Sequence, residues 1–336
     1  MGGARPYYHI AADEHLLFVP ARGVAAYELA TGAPAWQVAS VGQPPENVVV
    51  RDGRVFTAGT IARALDSGTG RELWRFAGDS VAPVVSAADE RAFYVLSESR
   101  QVYGLDVVTG QPLWSAEALP QGQYRALSTG IVVHGDTLYA SFVEETSPTG
   151  HLKRGWIVAL ERNGGRVLWR YVNERPNEPH DAGRHAVAGR MLLVNDLNGG
   201  AFMGVDRFTG QEVWRHVGPA DRFGARDVFK VADGVAYLAS NDTRLYAFDP
   251  ETGRKHWTAG LGGSASSSAV CGDYVFAAAG SLQMFDRATG KRRAALFMDS
   301  DGFVEPGSHV VSRLLSHGGR VYFLAYKGVY AVECSL

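Results

Sequence analysis

The strongest constraint on this chain is a phrase that returns about every 40 residues: a small residue, an apolar one, an acid, two free positions, Thr-Gly, three free positions and Trp. Copies start at Ala26, Ala64, Gly104, Ala159, Gly204, Ala247, Met284 and Ala331. Their acids are Glu28, Asp66, Asp106, Glu161, Asp206, Asp249, Asp286 and Glu333, and the turn glycines are Gly32, Gly70, Gly110, Gly165, Gly210, Gly253 and Gly290. Six copies end in tryptophan, at Trp36, Trp74, Trp114, Trp169, Trp214 and Trp257, which leaves only Trp156 outside the pattern. Constant spacing inside the phrase marks a repeat architecture, in which each unit buries its apolar face on its neighbours.

Each unit also carries two earlier apolar runs. The second unit has "ENVVV" and "GRVFTAG", the third "APVVS" and "RAFYVL", and the sixth "DVFKVA" and "GVAYLAS", all bounded by turn residues. Short runs rich in Val, Tyr and Phe read as strands. Four such strands per unit describe an all-β fold, an eight-bladed β-propeller of four-stranded antiparallel blades occupying 1–336 as a single domain. The 40 glycines and 14 prolines, spread along the chain, supply the many turns this needs. In each phrase the acid and Thr-Gly are expected to turn the third strand into the fourth, the carboxylate accepting local backbone N–H groups and Gly taking a positive φ. The tryptophan then falls on the outer strand, where its ring fills the wedge between blades provided its N–H meets a carbonyl. The small residue at the head of the phrase makes room for that ring.

These residues resemble the PQQ-like β-propeller repeats, whose tryptophan-docking motif is this phrase, and the resemblance spans essentially the whole chain. It implies that Trp36, Trp74, Trp114, Trp169, Trp214 and Trp257 each pack against a neighbouring blade. The seventh copy departs from the pattern twice, with Met284 for the small residue and Ala294 for the tryptophan, so its seam is expected to pack differently and more loosely. The eighth stops at "GVYAVECSL", with three strands. Removing the open sheet edge then calls for a strand from the N-terminus, residues 1–6, or from a segment upstream of Met1 in a longer parent protein.

Function is expected where the period is broken. The longest departures are 144–155, 173–185 and 298–309, all on the face opposite the Thr-Gly turns. On that face Arg125, Arg184, Arg226 and Arg313 stand where inner strands begin, with Tyr7, Glu46, His180, His185 and Asp227 in the same register. Guanidinium groups around a shared channel suit a carboxylate, a phosphate or an acidic peptide. The plainer alternative is that they pair with local acids such as Glu178, Asp181, Asp227 and Glu305. His180, Asp181 and His185 lack a further ligand, and "DSDG" at 299–302 lacks the later positions of a calcium loop, so no metal is expected. No H-E-x-x-H, G-x-S-x-G, P-loop or G-x-G-x-x-G pattern is present, and no catalytic residue is assigned.

A net charge of −2 removes the global field that nucleic acid or an anionic membrane would need. No stretch approaches the ~18 apolar residues of a membrane span, and "MGGARPYYHI" has no leader pattern. The reading is cytoplasmic as written, and extracytoplasmic if the chain is a fragment of a secreted or membrane-anchored protein. Cys271 and Cys334, outside any C-x-x-C spacing, read as two buried thiols.

The resemblance implies three settings. Quinoprotein dehydrogenases add an adjacent cysteine pair, a calcium ion and a catalytic Asp that cannot be matched here, so PQQ is an alternative and the expectation is no cofactor. Barrel-assembly lipoproteins need a signal sequence and a lipidated Cys. Domains fused behind bacterial Ser/Thr protein kinases suit the incomplete last blade. The expected function is therefore a non-catalytic, monomeric binding propeller, the sensor or interaction domain of a larger bacterial protein such as such a kinase. It would take a protein or a small anionic ligand on its looped face. A propeller enzyme and an extracytoplasmic scaffold like the barrel-assembly lipoproteins are the alternatives.

Overall fold

The computed structural model describes residues 8–335 apart from 21, 46, 79–85, 98–99, 121–125, 148–152, 175–179, 181–183, 197–198, 219–224, 226, 264, 266, 280, 297–309, 311 and 326–327. Among the described residues every regular element is a strand, and the strands form eight antiparallel sheets whose members pair in chain order, the blades of an eight-bladed β-propeller. Blade one is Ala11–Ala12, Leu16–Pro20, Gly23–Glu28 and Pro34–Ala39, running from inner to outer strand. Blades two to seven cover 48–76, 87–117, 126–173, 184–217, 230–260 and 267–296. Blade eight has three described strands, Leu315–His317, Arg320–Ala325 and Gly328–Glu333. Blades one to four make one compact unit, Tyr8–Gly183, and blades five to eight a second, from Arg184 onward. The N-terminal source expected for a fourth strand of blade eight, residues 1–6, lies outside the described residues.

One row of side chains explains the phrase. In blade one Phe18, Ala26 and Trp36 face each other across the second, third and fourth strands. Phe56, Ala64 and Trp74 repeat the row, as do Tyr94, Gly104 and Trp114, Tyr139, Ala159 and Trp169, and Tyr237, Ala247 and Trp257. Because the middle residue is small, the two outer rings meet over it, with centroids 5.8–6.0 Å apart. A Cβ on Gly104 would lie 2.7 Å from the Trp114 ring. The register shifts just after this row in each of these hairpins, and that bulge sets the ten-residue step from small residue to tryptophan.

The turn behaves as expected. Asp66 Oδ1 accepts the Thr69 N–H at 2.9 Å and its hydroxyl at 2.7 Å, and Gly70 follows at φ +72°. These bonds favour the charged form and hold the Asp66 carboxyl below its ordinary pKa. Five of the motif indoles then reach the next blade. Trp36 donates to the Ser67 carbonyl at 2.9 Å, Trp74 to Val107 at 3.0 Å, Trp114 to Arg162 at 3.0 Å, Trp214 to Pro250 at 2.9 Å and Trp257 to Arg287 at 3.0 Å. Every acceptor is the residue after that blade's acid. The ring lies flat on the turn glycine, so that a Cβ on Gly110 would come within 2.5 Å of Trp74.

The seventh blade solves the same problem differently. Its row is Phe276, Met284 and Ala294, so the bulk has moved from the outer strand to the middle one, and Met284 is buried. The seam is packed differently, as expected, and the reading of two free thiols is corrected here: Cys271 and Cys334 form a disulfide, with Cα atoms 5.7 Å apart. Cys271 ends the inner strand of blade seven and Cys334 follows the last strand of blade eight. Sixty-three residues of separation hid from the sequence a proximity that blade stacking creates.

Candidate functional site

Three successive inner strands of the second unit converge where they begin. Asp227 lies just before Lys230–Ala232 of blade six, Ser267 opens Ser267–Cys271 of blade seven, and Arg313 lies just before Leu315–His317 of blade eight. Asp227 is buried and caged. Its Oδ1 accepts the Val228 N–H at 2.7 Å and faces Arg313 Nε at 3.1 Å. Its Oδ2 accepts the Ser267 hydroxyl at 2.6 Å and the Ser268 N–H at 3.3 Å, with Lys230 Nζ at 3.2 Å. The Ser267 oxygen in turn accepts the Leu314 N–H at 2.9 Å, which ties blade eight to blade seven at this end.

Burial alone would raise the Asp227 pKa, but Lys230, Arg313 and the hydrogen bonds outweigh it and hold the carboxyl well below the usual range. Burial pulls the Lys230 ammonium the other way, below its ordinary value, despite the attraction of Asp227. Among the described residues the cluster brings together the carboxylate of Asp227 and the cationic groups of Lys230 and Arg313. It does not suit a calcium–quinone pair, because both Asp227 oxygens already accept donors and two cations stand beside them. Nor is a carboxylate whose oxygens already accept donors, and whose pKa is held low, well placed to take up a proton as a general base.

Asn195, on the second strand of blade five, positions the segment that leads into Asp227. Its amide accepts the Ala225 N–H at 3.0 Å and donates back to the Ala225 carbonyl. The backbone of Arg184, first residue of the inner strand Arg184–Ala188, pairs with Asn195 itself. His185 follows it, buried and paired with Val194. His180, in the first unit, is buried and its backbone N–H donates to the Lys153 carbonyl at 3.0 Å. Among the described residues no three His, Cys, Asp or Glu side chains gather as metal ligands.

Of the residues singled out in the sequence, the structure brings together Asp227 and Arg313, and places Arg184 and His185 on the neighbouring inner strand. Tyr7, Arg125 and Arg226, with the acids Glu178, Asp181 and Glu305, lie outside the described residues, as do 148–152 and 298–309 of the long loops. For Arg313 the plainer alternative, pairing with Asp227, is what the structure shows. Sequence reasoning missed Lys230, Ser267 and Asn195. Lys230 had a readable signal, as one of only five lysines, placed three residues after Asp227.

Blades of this kind, joined by forward-reaching indoles, define a tryptophan-docked β-propeller of eight blades. Within that class the chain belongs to the family described as outer membrane protein assembly factor BamB, whose profile matches residues 9–146 and 153–335. It is similar to the serine/threonine-protein kinase AfsK of Streptomyces griseus, 27% identical over 242 residues, 61% of this chain and 28% of the kinase. It is also similar to the polyvinylalcohol dehydrogenase of Sphingopyxis sp. (strain 113P3), 25% identical over 245 residues, 67% of this chain and 35% of that protein. The chain therefore spans about a third of the length of these curated relatives. Among solved structures, BamB from Moraxella catarrhalis shares the fold with a TM-score of 0.70 at 18% identity, covering 96% of this chain and 92% of that one. No helix of the described residues is long and apolar enough to cross a membrane.

Proposed function

We propose that this protein is a non-catalytic binding propeller, a single domain working outside the cytoplasm, which takes an acidic protein segment or a small anionic ligand where the inner strands of blades five to eight begin. The observation that carries the reading is the Asp227 cluster, which gathers the cationic groups of Lys230 and Arg313 where the inner strands of blades six to eight begin. In this reading Arg184, first residue of the neighbouring inner strand, and Arg226, next in sequence to Asp227, contribute further guanidinium groups. The disulfide supports an oxidising compartment, since such bonds persist outside the cytoplasm and are rare within it. Membership of a family described by an outer membrane assembly factor agrees with that placement. The similarity to a longer protein kinase supports the same role in another setting, as the sensor part of a larger chain.

The competing enzymatic reading rests on the similarity to polyvinylalcohol dehydrogenase. One experiment separates the two. Binding of a polyglutamate peptide and of citrate is measured by calorimetry on wild type and on Arg184→Glu/Arg226→Glu, alongside a titration of PQQ with calcium followed by gel filtration. The binding reading expects peptide or citrate affinity to fall at least about tenfold in the variant with the melting temperature nearly unchanged, and no quinone absorbance to remain with the protein. Equal affinity in both proteins removes the arginine site, and retained quinone absorbance revives the enzyme.

A further inference from the structure

We infer that the Cys271–Cys334 disulfide does at the seam between blades seven and eight what the indole does at the other described seams, and that it makes the hold on blade eight conditional on an oxidising environment. Three observations meet here. Cys334 is the residue after the acid Glu333, and in blades two, three, four, six and seven that position supplies the carbonyl that receives an indole N–H. The indole that would reach it is missing, because Ala294 stands at the tryptophan position and Met284 fills the middle of the row. Instead the Cys334 side chain bonds to Cys271 of the blade the indole would have come from.

Blade eight also needs such a lock more than its neighbours do. Its third strand, Gly328–Glu333, is half-exposed along its length, whereas the third strand Ala62–Asp66 of blade two is buried. Among the described residues its other ties to blade seven include an apolar contact of Leu314, Val321 and Phe323 with Met284 and Phe276, and the Leu314–Ser267 bond at the opposite end. Loss of the disulfide therefore frees the turn end of the blade first, with Leu314 and Ser267 as the pivot.

The chemistry is ordinary thiol–disulfide exchange with a dithiol reductant, either a small molecule or the active-site pair of a protein oxidoreductase. A thiolate attacks Cys334 Sγ, which is half-buried, while Cys271 is 6% exposed. The protein S–S bond breaks, a mixed disulfide forms and Cys271 leaves as thiolate and takes a proton. The second reductant thiol then displaces Cys334, so that the reductant ends as a disulfide and the protein gains two electrons and two protons.

The test is hydrogen exchange read by mass spectrometry on the full chain, oxidised, reduced with dithiothreitol, and as Cys271→Ser/Cys334→Ser. Closing a loop of 63 residues covalently stabilises by an amount that corresponds to about a thousandfold in local opening. Exchange in 317–325 and 328–334 is expected to rise by about that factor on reduction and in the variant, with blades five and six unchanged and protection restored on reoxidation. Unchanged exchange in blade eight, or an equal rise in all four blades of the unit, overturns the inference. Should the variant not fold, reduction of the wild-type protein gives the same readout.

Discussion

Replacing Trp214 with alanine removes a hydrogen bond, a platform contact and a stack together. The indole loses the Pro250 carbonyl at 2.9 Å, its ring leaves Gly253, against which a Cβ would lie 2.5 Å away, and it leaves Phe248, stacked at 6.3 Å and 25°. An aromatic side chain of this size takes about 150–250 Å² out of water, and at ~25 cal/mol per Å² that is about 4–6 kcal/mol. Trp214 is half-buried and alanine keeps a little of the burial, while the lost hydrogen bond adds back about 1 kcal/mol. The net loss expected is about 3–5 kcal/mol, in line with large-to-small ring deletions. Trp214→Phe keeps most of the ring and is expected to lose about 1–2 kcal/mol. Trp156→Ala is the control, because that indole donates to Glu144 of its own blade at 2.9 Å and docks on no turn glycine. It should cost about 1–2 kcal/mol. The assay is the urea midpoint at constant slope, read by circular dichroism. Equal, small losses at Trp214 and Trp156 would refute the docking argument.

Two further outcomes follow from the electrostatics. Asp227→Asn removes the buried carboxylate that Lys230 and Arg313 both contact and is expected to cost about 3–5 kcal/mol; adding Lys230→Met should recover part of that loss in the same denaturation assay. Asp286 is pulled down to about 2 by Arg293 and by the Thr289 hydroxyl and N–H. Its folded pKa lies below the unfolded one near ~3.9, so its contribution to stability is complete above ~4 and is lost as pH falls through about 2. An NMR titration of the Asp286 carboxyl with its midpoint near 4 would contradict this.

What the sequence made legible was the local part of the fold. The ten-residue step from Ala26 to Trp36 is a hairpin register with one bulge, and such a register is set within the hairpin itself. The turn chemistry of Asp66, Thr69 and Gly70 is likewise written within five residues. The aromatic that completes each row, Phe18 or Tyr94, was unread because it sits one strand earlier, where any apolar residue fits a strand pattern. The candidate site was half legible. Arg313 and Asp227 stood out as charges where strands begin, but Ser267 is 40 residues from Asp227 and a serine there carries no mark in sequence. The disulfide was missed for the same reason. Its partners are neighbours only because consecutive blades stack, and no local pattern encodes that.

The forward reach of the indoles gives the molecule a direction in time. The five described bonds join residues 31, 33, 48, 36 and 30 positions apart, and in each the donor is synthesised first. An outer strand therefore has its indole capped only by a loop 30 or more residues further along the chain, so each of these seams is completed by the blade that follows it. After blade seven no tryptophan waits, and the final fastening depends on an oxidant rather than on the next stretch of chain.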